Sequence, residues 1–288
     1  MFGKSRQVYY RAKKSEAKRR ETASVVVKKV QQVRMRMSEL GTRKLYEKLY
    51  DELRELGVGR DRLFAIMKAN HMQILPKRQY HITTDSHHRF RKHRNLVENL
   101  TLNRPEQLWV SDITYIGNRQ NPMYLSLVTD AYSKKIMGFN VSNSLHAQGA
   151  IKALKQAIKN RKYYDRELIH HSDRGLQYCC DDYQKELDKG NLLCSMTEKY
   201  DPYQNAIAER VNGILKQEFI KGILVNDIVL MNKLIKQSID IYNRERPHYS
   251  CYMKTPEFMH GQEKIKIRTY KKIAPQNCAM LLNYYLSL

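Results

Sequence analysis

Three acids stand where phosphodiester chemistry would use them: Asp112, Asp173 and Glu209. Asp112 falls inside the apolar run LWVSDITYI and, on a strand, shares a face with Val110, Thr114 and Ile116. A carboxylate in the middle of a buried strand is costly unless it is paired or bound to a cation. Asp173 follows the short segment LIHHS, at the carboxyl end of an expected strand, where ligand sites of open α/β sheets gather. Glu209 lies on a helical stretch in which Asn205, Glu209, Asn212 and Lys216 recur at spacings of four, three and four, which puts them on one face. Singly, each acid has an ordinary reading: an edge-strand residue facing water, a turn or cap residue, a solvated amphipathic stripe. Together they make an all-oxygen donor set that suits Mg²⁺, which keeps several waters and takes few carboxylates. Two such ions, with Mn²⁺ able to substitute, would activate the attacking oxygen and stabilise the leaving one in an in-line displacement.

The elements that must position these acids are legible from patterning. Runs at 108–116, 123–131 and 134–142, rich in Val, Ile, Leu, Tyr and Phe, read as an antiparallel meander. A helix is expected at about 147–161, a strand at 168–172, a helix near 181–189 and a strand at 192–197. Long helices at about 204–222 and 226–243 complete the order. Three strands, helix, strand, helix, strand, helix is the order of a ribonuclease-H-like α/β fold with a mixed five-stranded sheet. That core is expected over 106–262, with a tail at 263–288.

Ahead of it the texture is helical and basic. Residues 1–37 read as a basic helical segment and 38–72 as a helix-turn-helix region. Leu45, Leu49 and Leu53 share one helical face, GVG at 57–59 breaks the chain, and Leu63, Ile66 and Met67 share the next face. Arg60 and Arg62 open the second helix, an arrangement that presents cations to a DNA groove; in a plain helical hairpin the same arginines would be solvated. Residues 73–105 read as a basic linker. Its His81, His87, His88 and His93 have no cysteine pair nearby to complete a zinc site.

The charge balance points the same way. The 288 residues carry 52 Lys+Arg against 29 Asp+Glu, a formal net charge of +23. Up to Arg104 the count is 26 against 10, a basic front end that fits a polyanion, most often nucleic acid. Five cysteines, an odd number with no Cys-x-x-Cys pair, argue against a disulfide framework or a cysteine zinc site. The N-terminus lacks the apolar core of a secretory signal, and the apolar stretch at 279–288 is too short to span a bilayer. No membrane and a reducing, cytoplasmic setting, close to the bacterial nucleoid, are expected.

The chain also resembles the DDE transposases of bacterial insertion sequences, specifically the B-frame product of the insertion-sequence-three family. The resemblance rests on motifs in order: W-x-x-D-I-T-Y at Trp109–Tyr115, D-x-x-S-x-x-I-x-G at Asp130–Gly138 and H-S-D-x-G-x-Q-Y at His171–Tyr178. Ser195–Met196, the N-A-x-A-E-x-x-N-G-x-L-K-x-E block at Asn205–Glu218, Y-N-x-E-R-P-H-x-S at Tyr242–Ser250 and Thr255–Glu257 follow. Gln204 stands where the family often has Asp. The resemblance implies a retroviral-integrase-like core with Asp112, Asp173 and Glu209 as the catalytic, metal-holding acids. It implies that Lys216 contacts DNA near the scissile phosphate, with Asn205 and Asn212 on the same stripe. GTRKLYEKL looks like the family's helix-turn-helix segment, which adds Arg43 and Lys44 to Arg60 and Arg62 as expected DNA contacts. It further implies Mg²⁺-dependent cleavage at element ends, joining of a 3′-hydroxyl to target DNA, at least a dimer on DNA, and an upstream A-frame DNA-binding segment as partner. The competing expectations are a non-catalytic, domesticated DNA-binding protein and a nuclease of the same fold.

Overall fold

The computed structural model describes residues 6–74, 93–98, 100–117, 121–197 and 205–267. Three strands form a meander: β1 (Leu108–Gly117), β2 (Pro122–Asp130) and β3 (Ile136–Ser142). Two short strands, β4 (Ile169–Ser172) and β5 (Leu193–Met196), extend it on the other side of β1. The sheet order is β3-β2-β1-β4-β5. β1 and β2 are antiparallel, as are β2 and β3; β4 runs parallel to β1, and β5 to β4. This is the mixed five-stranded sheet that the pattern predicts.

Helices cover both faces. The first helix after the meander, Ala147–Lys159, buries Ala150, Ile151, Ala153, Leu154 and Ala157 against Trp109, Val128 and Met137. Gly138 is required there, because a Cβ would stand 2.1 Å from the Ala153 carbonyl oxygen. On the other face the helices Ala206–Ile214 and Ile228–Glu245 pack Val211, Ile214, Ile235 and Tyr242 onto Leu125, Leu127 and Val141. The expected helix at 204–222 is not uniform: past Ile214 the turn widens into a π-helix, Leu215–Phe219. A single turn at Leu176–Cys179, which patterning did not predict, precedes the helix Asp181–Lys189.

The N-terminal region forms a helical cluster with its own core, against which Phe219 and Ile241 pack. The helix α1 (Arg6–Arg36) is followed by α2 (Thr42–Lys48), α3 (Tyr50–Glu55) and α4 (Arg60–Ala69). Leu45, Leu49, Leu53, Leu63, Ile66 and Met67 meet Val26, Val30 and Met37 in one core, so the leucine and methionine faces read from the sequence are the buried ones. The helix expected around LYEKLYDEL is divided at Leu49.

The described residues at both ends of the expected core pack against it. The described part of the expected linker is not free in solvent: Val97, Leu100 and Leu102 pack on Leu108, Val110, Ala131 and Ala208, and the Leu96 amide donates to Ser195 Oγ at 2.9 Å. Its apolar residues, diluted among charges, carried no periodic signal. Similarly, Ile265 and Ile267 of the tail pack beside Tyr132, Cys251 and Met259. His81, His87, His88 and the 279–288 stretch lie outside the described residues. Among the described residues no helix is long and apolar enough to cross a membrane.

Candidate active site

Strand register brings the first two acids together. Val110 pairs with His171 across the parallel β1–β4 ladder, and two residues further along each chain stand Asp112 and Asp173. Asp173 lies just beyond the end of β4, where the backbone turns: the Gly175 amide donates to Asp173 Oδ1 at 3.0 Å.

The third acid arrives on the helix Ala206–Ile214, whose polar stripe turns Asn205, Asn212 and Lys216 toward β1 while Glu209 itself is exposed. Asn205 Nδ2 donates to the Ser111 carbonyl at 3.1 Å. Asn212 Nδ2 donates to Asp112 Oδ2 at 2.8 Å. Lys216 Nζ reaches Thr114 Oγ1 at 3.4 Å. Ala208, Val211, Ile214 and Leu215 are buried beside them. The stripe is therefore the means by which Glu209 is carried to the strand that holds Asp112.

The electrostatics show that the acids share one field. Asp112 is pushed up to about 7, first by burial and then by the charge of Asp173, with Glu209 adding to it and the Asn212 hydrogen bond opposing. Glu209 is also raised, by burial and by Asp173. Lys216 is lowered by burial, against which Asp112 acts. Like charges gathered in a poorly hydrated place disfavour the ionised form of each.

Do these residues fit a divalent ion? Among the described residues no three His, Cys, Asp or Glu side chains close up around one common point, so this is no preformed closed cage of the structural-zinc kind. The donors are all carboxylate oxygens, the hard type that magnesium-like ions take together with retained waters. Asn205 Oδ1 and Asn212 Oδ1 are buried acceptors with no hydrogen-bond donor, and a water held on an ion beside Asp112 would offer one. The donor chemistry fits a hydrated divalent cation.

Several residues that support the site carried no separate meaning in the sequence. His170 Nε2 lies 2.7 Å from Ser111 Oγ and 3.0 Å from Tyr183 OH, tying β1 to β4 and to a helix behind the sheet. His171 Nδ1 meets Ser195 Oγ at 2.9 Å, tying β4 to β5. Burial pushes His170 down to about 3 and His171 to about 4, so both are neutral braces at physiological pH. His171 and Ser195 carried a sequence signal only as members of the H-S-D and Ser-Met motifs, and His170 carried none.

The expected DNA contacts divide. Arg43, Arg60 and Arg62 are exposed, and Arg60 pairs with Asp61 at 3.0 Å. Lys44 instead turns to the catalytic core and lies 3.3 Å from Glu218 Oε1, where burial, foremost, pushes its ammonium down to about 8.

Comparison with known proteins decides the family. The integrase core domain family matches residues 103–202 and, through a second description of the same name, 191–256. The insertion element IS600 uncharacterized 31 kDa protein of Shigella sonnei is 32% identical over 254 residues, covering 86% of this chain and 92% of that one. The chain belongs to the insertion-sequence-three family of DDE transposases. Transposase InsF for insertion sequence IS3A of Escherichia coli is 38% identical over 154 residues, which is 53% of each chain; the match therefore spans about half the length of that relative. Among solved structures, a simian T-cell lymphotropic virus intasome aligns with TM-score 0.47 at 18% identity, covering 81% of this chain and 79% of that one. The HTLV-2 integrase catalytic core with magnesium aligns with TM-score 0.43 at 18% identity, covering 58% and 99%.

In this transposase the motif residues outside the acids turn out to hold one another. Glu218, which ends the Asn205 block, receives two hydrogen bonds of 2.7 Å from Arg246 of the Tyr242 block. Asn243 pairs through its side-chain amide with both the backbone amide and the carbonyl of Ile136, at 3.0 Å each. Asp130 accepts from the Glu106 amide and from the Ser133 amide, each at 2.8 Å.

Proposed function

We propose that Asp112, Asp173 and Glu209 are the catalytic acids with which this family member cuts and joins DNA strands, and that they hold two divalent ions, Mg²⁺ or Mn²⁺. The observation that carries this reading is the convergence of a mid-strand, a strand end and a facing helix: Asp112 and Asp173 lie two residues past the Val110–His171 pair, and Asn212, one turn past Glu209, donates to Asp112 Oδ2. Bound ions would supply charge stabilisation for the attacking and leaving oxygens at phosphorus.

The chain's own residues do the rest. Asn212 holds Asp112 Oδ2 by one hydrogen bond, which fixes the carboxylate plane. Gly175 fixes one oxygen of Asp173. Lys216, on the first π turn after Glu209, keeps its ammonium near the acids, where it would meet a DNA phosphate. Developing charge in such a displacement lies on oxygen, so preplaced cations and donors lower the barrier more than they help binding. DNA, both element ends and target, is the substrate, and the basic N-terminal region with Arg43, Arg60 and Arg62 contributes to holding it. Pairing of two ends calls for at least a dimer on DNA. An upstream A-frame segment would serve as a further end-recognition partner.

The test replaces each acid with its neutral isostere: Asp112→Asn, Asp173→Asn and Glu209→Gln. Each should abolish metal-dependent cleavage and joining of element-end duplexes while the duplexes are still bound. Normal strand transfer by any one of them would remove that residue, and with it the reading.

A further inference from the structure

The first half of α1 has no part in the fold. Every residue from Arg6 to Glu21 is exposed, and the helix first contributes fully buried side chains at Val26 and Val30. At 1.5 Å per residue this free portion projects roughly 24 Å beyond the helical cluster.

A free helix of that length is marginal in water, since isolated helices shorter than about 12–15 residues barely form and longer ones lean on tertiary packing. Its surface shows what could complete it. The segment holds seven cations, Arg6, Arg11, Lys13, Lys14, Lys18, Arg19 and Arg20, against two anions, Glu16 and Glu21. No acid occupies its first turn, so no side chain of that turn offsets the positive end of the helix dipole. Glu16 takes up Arg20 at 2.5 Å. Arg11, Lys14 and Lys18, at spacings of three and four, form a separate basic row.

The face that packs lower down does not continue upward as an apolar seam. Toward the N-terminus from Val26, successive helical turns bring Thr22, Arg19, Ser15 and Ala12 onto that face, too small and too charged for a second copy of the helix to bury. Charge complementarity therefore favours a polyanion over another protein chain.

We propose that the arm Arg6–Glu21 lies along duplex DNA and grips its phosphates through Arg11, Lys14 and Lys18, without reading sequence. This rests on the reading of the chain as a DNA-processing transposase and adds to it a named, sequence-independent contact surface. Such contacts position a protein on the duplex and set its salt dependence, and carry no base information.

The experiment compares the full chain with the triple variant Arg11→Gln, Lys14→Gln, Lys18→Gln on a random-sequence duplex and on a terminal-repeat duplex across a salt series. All three positions are exposed, so the fold should be retained, and circular dichroism of both proteins checks this. The expected result is a shallower dependence of log affinity on log salt, by about 2–3 for three lost phosphate contacts, equal on both duplexes. An unchanged slope with the wild type still binding DNA overturns the arm and leaves the transposase reading in place. A fall in sedimentation mass with that unchanged slope assigns the arm to a second copy and overturns it too. A wild type that binds neither duplex overturns both proposals.

Discussion

The sheet carries two groups of acids, one open to solvent in part and one fully buried, and they are built on opposite plans. Midway along β1, Asp112 and Asp173 are half-buried and Glu209 is exposed, and Asp112 and Glu209 are held above their ordinary range by burial and by their neighbours. Around the start of the same strand, Asp130 and Glu106 are fully buried yet surrounded by donors. Asp130 accepts from the Glu106 and Ser133 amides and from Ser133 Oγ. Glu106 accepts from the amides of Lys162 and Tyr163 at 2.7 and 2.9 Å and lies 3.1 Å from His260 Nε2. Trp109, three residues before Asp112, is the register partner of Asp130, so one strand serves both. Buried charge surrounded by donors holds a structure together; like charges that raise one another in a partly open place mark a candidate functional site.

The contrast breaks most sharply on neutral substitutions. Asp112→Asn should take strand transfer below detection yet leave the unfolding midpoint unchanged or raised, because a mutually repelling charge is gone. Asp130→Ala should do the reverse. It strands three donors in a dry site, and losing one partner of such a buried network costs about 3–5 kcal/mol. Urea unfolding of the two variants side by side checks this. A large stability loss in Asp112→Asn, or none in Asp130→Ala, would collapse the distinction.

A smaller effect sharpens the active-site half. Asn212→Leu keeps the volume but removes the donor to Asp112 Oδ2. Partners of this kind typically change metal affinity or activity by about 10–100-fold when lost. Mn²⁺ affinity measured by magnetic resonance in the absence of DNA should weaken by a factor in that range, while urea unfolding moves by less than about 1 kcal/mol. Unaltered Mn²⁺ binding would show that Asn212 does not order the carboxylate for the ion.

Much of this arrangement was legible in the sequence, for reasons that differ between parts. The five strands announce themselves because a sheet covered by helices demands near-continuous apolar runs. The acids stand out because a charge inside such a run contradicts its surroundings. The stripe Asn205, Glu209, Asn212, Lys216 was visible as periodicity, but which way it faced was not: a solvated face and a face turned to β1 read alike. Lys44 shows the same limit. A basic residue on a helix looks like a DNA contact until the fold sets it 3.3 Å from Glu218, 174 residues away. Pairings between residues far apart in the chain, Glu218 with Arg246 or Asp130 with His260, leave only isolated polar letters in it. The π-helix at Leu215–Phe219 is invisible as well, since its residues have ordinary helical propensity.

The smallest expected effect concerns pH and tests the satisfied cluster alone. His260 sits with Nδ1 3.2 Å from Ser133 Oγ and 3.7 Å from Asp130 Oδ2, and with Nε2 on Glu106. Burial acts to lower its pKa and is the largest single influence, but hydrogen bonds to Asp130 and Glu106 together outweigh it, and the folded value is raised. A raised value means the imidazolium is favoured by folding. Its stabilisation is complete below the unfolded value, near 6.5, and is lost as pH climbs from there through the folded value. His260→Gln should therefore narrow the stability gap to wild type as pH rises over that window. Urea midpoints taken at intervals from pH 5.5 to 8.5, roughly the range that brackets histidine titration, give the curve. A wild-type advantage that stays constant across the range would mean His260 acts by packing between Asp130 and Glu106 and not by its charge. A widening advantage would reverse the sign and place the neutral ring as the form that the fold prefers.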